Sequence, residues 1–108
     1  MKREILKEID RLSKKYHNKC RGLTIFVDIN RRRNIVGSSY RLGNFVLLGF
    51  SRYNWKHLSD YQKKKVVVHE FCHTLDFLAK GKAHGNRWKK LMVENGFHPS
   101  VTMRVSEG

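Results

Sequence analysis

A chain of 108 residues, 40% hydrophobic and 30% charged, has room for one globular core and not for two. Its 23 Lys and Arg against 9 Asp and Glu give a formal net charge of +14, which points toward a polyanionic partner. Only two cysteines, Cys20 and Cys72, lie far apart, so a disulfide framework and a Cys-x-x-Cys site are excluded. No apolar run is long enough for a membrane span or a secretory signal, so the expectation is a single domain, residues 1–108, monomeric, cytoplasmic or nucleoid/nuclear and not secreted.

Residues 3–17 predict a helix in which Ile5, Leu6, Ile9, Leu12 and Tyr16 make one apolar stripe. Arg21-Gly22 breaks that pattern. Over residues 23–30 the period changes to two: Leu23, Ile25, Val27 and Ile29 alternate with Thr24, Phe26, Asp28 and Asn30, as in a half-buried strand. A basic turn, Arg31-Arg32-Arg33-Asn34, leads to a second strand over residues 35–42, where Gly37 marks a bulge or a close backbone approach. Gly43-Asn44 suits a two-residue hairpin turn into a third, nearly all-apolar strand over residues 45–50.

Residues 51–56 read as a connecting loop. Tyr53 and Trp55 there either cap the core or, beside Arg52 and Lys56, stack on unpaired bases. Ser59-Asp60-Tyr61-Gln62 matches a capping box, which starts a central helix of about residues 60–80. Val67, Val68, Phe71, Leu75 and Leu78 are expected to turn one side of that helix into the core. A C-terminal helix over residues 86–95 packs Trp88, Leu91 and Met92 and stops at Gly96; Val101, Met103 and Val105 then form a weak strand pattern. The sum is an α+β fold: an N-terminal helix, a sheet of about three strands, a central helix and a C-terminal helix.

The central helix carries His69-Glu70-Phe71-Cys72-His73. Residues four apart lie one above the other on a helix, so His69 and His73 can aim two neutral imidazoles at one ion, with Glu70 beside them as general base. This is the His-Glu-x-x-His arrangement of a catalytic zinc site, and Zn2+ is the expected cofactor. Such sites take a third protein ligand. His84, eleven residues after His73, is preferred because it opens the next helix; Glu94 is the alternative, as in peptidases that draw a glutamate from a following helix. Asp76, three after His73, either orients a ligand imidazole or is an ordinary surface carboxylate. Cys72 is expected to be a small core residue.

His69-Glu70-Phe71-Cys72-His73 followed by His84-Gly85-Asn86-Arg87-Trp88 resembles the SprT-like (Spartan-type) zinc metalloproteases, and the likeness extends over about residues 23–92. The resemblance implies a minimal zincin-like fold, zinc held by His69, His73 and His84, and Glu70 as the catalytic base. It also implies that the substrates are proteins bound or crosslinked to DNA. Many members carry a zinc ribbon of paired cysteines after the catalytic core; with Cys20 and Cys72 alone, a minimal form is expected here. Substrate backbone commonly pairs along an edge strand in such enzymes, and the third strand is expected to fill that place. Tyr53, His98 and Arg104 are the candidates for stabilising the oxyanion.

The basic residues between Asp28 and Asp60, where no acid occurs, are the candidate DNA contacts: Arg31, Arg32, Arg33, Arg41, Arg52 and Lys56. They lack any base-reading motif, so sequence-independent contacts to a DNA backbone, single-stranded or otherwise, are expected. Two alternatives stay open at this point. One is a zinc peptidase with no nucleic-acid role, using Glu94; the other is a basic nucleic-acid-binding module with a structural zinc.

Overall fold

The computed structural model describes residues 1–76 and 85–98. The expected α+β architecture is present. Helix α1 (Lys2–Lys15) leads into strand β1 (Thr24–Asn30), then β2 (Gly37–Leu42) and β3 (Phe45–Ser51). A single-turn helix α2 (Arg52–Trp55), the long α3 (Asp60–Asp76) and α4 (Asn86–Glu94) follow. No helix among the described residues is long and apolar enough to cross a membrane.

Local chemistry explains most of the boundaries. Helix α1 buries Ile5, Ile9 and Leu12, and Tyr16 at its C-cap is buried with them, while Leu6 at the edge of the predicted stripe stays 45% exposed. Gly43 takes φ +58°, which L side chains rarely adopt, and lets Leu42 pair with Phe45 across the hairpin. The capping box before α3 forms as read: Gln62 N–H donates to Ser59 Oγ at 3.2 Å, and Ser59 N–H donates to Gln62 Oε1 at 2.9 Å. Gly96, at φ +82°, closes α4 as expected. Residues 51–56, however, are not a plain loop. Ser51 accepts from the Asn54 amide and caps α2, and the Asn54 side chain binds the carbonyls of Arg32, Arg33 and Ile35. Trp55 is consequently core, 5% exposed.

The sheet order is β1-β3-β2, with β1 parallel and β2 antiparallel to β3. The third strand is therefore the centre of the sheet and not its edge. Its backbone is engaged on both sides, which removes it as a place for substrate to pair. Its long apolar run suits a strand flanked on both sides. The inner face of the sheet, through Val46, Leu48 and Phe50, joins one core with α1, α3 and α4. Helix α3 is buried on nearly every side from Val66 to Asp76, not on one stripe as expected. β2 lies along it, with Gly37 against Glu70 and Arg41 reaching the Thr74 carbonyl.

Candidate metal centre

The site is built on the most enclosed of the described elements. His69 and Glu70 are fully buried and His73 partly so, each held by backbone that packs against β2 on one side and α4 on the other. The Nε2 atoms of His69 and His73 stand 3.2 Å apart, their ring planes at 71°. Two imidazoles on a tetrahedral zinc, at about 2.0–2.1 Å each, place their nitrogens about 3.3 Å apart. The donor spacing fits the ion. Glu70 Oε2 stands 4.0 Å from His69 Nε2, beyond hydrogen-bond reach, so the carboxylate flanks the imidazole pair rather than bonding to that nitrogen. The ligand atoms of His69, Glu70 and His73 lie within 4.8 Å of one another, the one such group among the described residues. A divalent cation there also offsets the cost of keeping the Glu70 carboxylate out of water.

Two neighbours give this cluster its shape. Gly37 of β2 passes so close that a Cβ on it would sit 3.0 Å from both Glu70 Cγ and Oε2, and 3.1 Å from Val66 Cγ1. The close backbone approach read at Gly37 is thus an approach to the predicted base. Trp88 of α4 is the second neighbour, and its role at the site exceeds the packing expected of it. Its indole donates to the His69 carbonyl at 3.3 Å, and its ring meets His69 edge-on at 4.8 Å and lies nearly parallel to His73 at 5.7 Å. The helical stripe in α4 shows that Trp88 is buried; nothing local shows that it backs both imidazoles.

The other predicted site residues are distributed as follows. His84 and Arg104 lie outside the described residues. Glu94 is exposed and accepts a hydrogen bond from the Tyr16 hydroxyl at 3.0 Å, away from the imidazole group. Asp76 is buried, but it makes no hydrogen bond to either imidazole; it lines a cavity of about 450 Å³ with Lys19, Arg21, Arg87 and Lys90. Cys72 is a core thiol, and burial pushes it up to about 12, with Glu94 and Asp76 adding to the rise against Lys15. Of the oxyanion candidates, Tyr53 is flanked by Arg33, Lys56 and His57, and His98 is exposed.

The candidate DNA contacts fall into two kinds. Arg31, Arg32, Arg33, Arg52 and Lys56 are exposed. The Arg33 guanidinium lies 4.9 Å and the Lys56 ammonium 5.4 Å from the centre of the Tyr53 ring, so a loop cation and the one that follows α2 share one aromatic. Arg41 differs: it is half-buried and donates to the carbonyls of Gly43 and Thr74 at 2.9 and 3.2 Å. It clamps the hairpin to the C-terminal part of α3, where the helix dipole favours a cation.

A buried helix offering two converging imidazoles and a glutamate beneath a three-stranded sheet defines a metalloprotease-type domain. The chain matches the SprT-like family over residues 5–107 and belongs to that family. No curated protein matched the chain. No solved structure matched it either.

Proposed function

We propose that this protein is a zinc-dependent endopeptidase that hydrolyses peptide bonds in proteins bound or crosslinked to DNA. The observation that carries the catalytic half is the 3.2 Å convergence of the His69 and His73 Nε2 atoms beside the buried Glu70. His69 and His73 would hold the ion, with His84 as the third ligand, and Trp88 keeps both rings in place from behind. When bound, zinc supplies Lewis-acid polarisation of the scissile carbonyl and shifts the acidity of water toward neutral pH. Glu70 takes the proton of the attacking water at a carboxylate oxygen and delivers it to the departing amine. Enclosure by Gly37 and α3 holds that carboxylate in one position, so little reorganisation accompanies the transfer.

β2 rather than β3 suits the pairing of an extended substrate. It is an edge of the described sheet, and its Gly37 end abuts Glu70. Main-chain pairing reads no side-chain identity, which suits an enzyme that must cut many proteins. The DNA half of the proposal is supported by the net charge of +14 and by the exposed Arg31, Arg32, Arg33, Arg52 and Lys56, of which Arg33 and Lys56 lie over Tyr53.

The test is cleavage of a DNA-binding protein, with and without single-stranded DNA, by wild type and by Glu70→Gln. The expected result is DNA-stimulated cleavage by wild type. Glu70→Gln should stay folded and zinc-loaded, with activity lower by about 10² to 10⁴. Cleavage that ignores DNA would leave a peptidase without a nucleic-acid role. Unchanged activity in Glu70→Gln would leave a basic domain with a structural metal.

A further inference from the structure

The outer face of the sheet carries apolar residues that no packing among the described residues explains. In cross-strand register the rows are Thr24–Phe45–Leu42, Phe26–Leu47–Tyr40 and Asp28–Gly49–Ser38. Phe26, Tyr40, Leu42, Phe45 and Leu47 from the first two rows are between 43% and 66% exposed, although β3 lies at the centre of the sheet. The rings of Phe26 and Phe45 are diagonal neighbours, 6.4 Å between centres and only 18° from parallel. Their ring planes run nearly parallel. Gly49 brings no side chain to the third row, where Ser38 and Asn30 lean over it.

We propose that this face is a base-stacking platform for single-stranded nucleic acid, with Phe26 and Phe45 as the stacking pair and Tyr40 beside them. The proposal rests on DNA as the partner and goes beyond the basic loop by giving the bases a place of their own. Charge decides between occupants of the face. A second copy of the chain would bring +14 against +14. A polyanion is attracted by the same charge, and exposed Arg31 follows directly on the end of β1 to meet its phosphates. Asp28 is the one acid on the face and lies in the polar third row, at the limit of the apolar surface. Stacked bases need flat rings at the centre and a cation at the margin; two parallel phenyl rings with Arg31 beyond the strand end supply both.

The experiment measures binding of a fluorescein-labelled oligothymidylate of about twelve nucleotides and of an abasic strand of equal length, by anisotropy over a range of salt. Wild type should prefer the oligothymidylate by about 5- to 150-fold, the range expected of one stacked base. Phe26→Ala/Phe45→Ala should lose that preference and keep the same slope of affinity against salt, because the phosphate contacts are untouched. Both side chains are exposed, so its melting temperature and zinc content should match wild type, and the wild-type comparison of the two strands needs no variant at all. Equal affinity of wild type for both strands overturns the platform while leaving DNA as a partner. A preference that survives the double substitution does the same. Wild type that binds neither strand overturns both readings. Phosphatidylserine vesicles or a concentration-dependent dimer, lost in the double variant while oligothymidylate binding persists, would reassign the face to another occupant.

Discussion

The two faces of the sheet use similar residues for opposite ends. Leu47 and Leu48 are neighbours in β3, yet Leu48 is fully buried under the helices while Leu47 is 43% exposed on the other side. The inner face positions chemistry: its residues press α3 between β2 and α4, and that pressure leaves His69 and Glu70 with little freedom. The outer face is apolar without being packed by any of the described residues. Apolar character alone therefore does not identify the core of this domain; which face a residue takes in the pleat does.

The sharpest way to break this contrast is to truncate each leucine in turn. Leu48→Ala should destabilise the domain by about 2–5 kcal/mol in denaturant unfolding, the cost of lost burial plus a cavity. Next comes Gly37→Ala, which alters the inner face where it touches the site. The new methyl obliges Glu70 or Val66 to give by a few tenths of an ångström; since a shift of about 1 Å costs about 10², a loss of peptide-bond hydrolysis of about 10-fold is expected. Its unfolding should move less than its activity, and hydrolysis equal to wild type would show that Gly37 does not position the base.

An alkaline titration probes the inner side without mutation. Burial pushes both Cys72 and Tyr16 up to about 12, from ordinary values of 9.0 and 10.0. The unfolded chain therefore releases these protons first. Stability from this source is complete below about pH 9 and falls as pH climbs toward 12, which melting temperatures across that range would show. The smallest effect belongs to the outer face: Leu47→Ala should change stability by no more than about 0.5 kcal/mol. A loss comparable to that of Leu48→Ala would mean that the outer face is packed after all.

Much of this organisation was legible from local signals. The Gly43-Asn44 turn, the Ser59/Gln62 capping box, the Gly96 stop and the four-residue spacing of His69 and His73 each act over a few residues, and each is formed as read. What escaped was nonlocal. Placing β3 between β1 and β2 depends on pairing across some twenty residues, and the apolar run of β3 fits either a central or an edge strand. The cap of α2 was hidden because Ser51 also serves as the last residue of β3. Arg41 counted as a surface cation because its partner, the Thr74 carbonyl, is 33 residues away. Trp88 belongs with these, since its contact with His69 spans 19 residues.

That last contact has an optical consequence. An indole lying nearly parallel to one imidazole and edge-on to another reports on the electronic state of both. Trp55, the second tryptophan, meets Phe50 edge-on instead and provides a constant background. The emission of Trp88 should thus change when a cation enters or leaves, giving the protein a native fluorophore whose titration follows occupancy without any label.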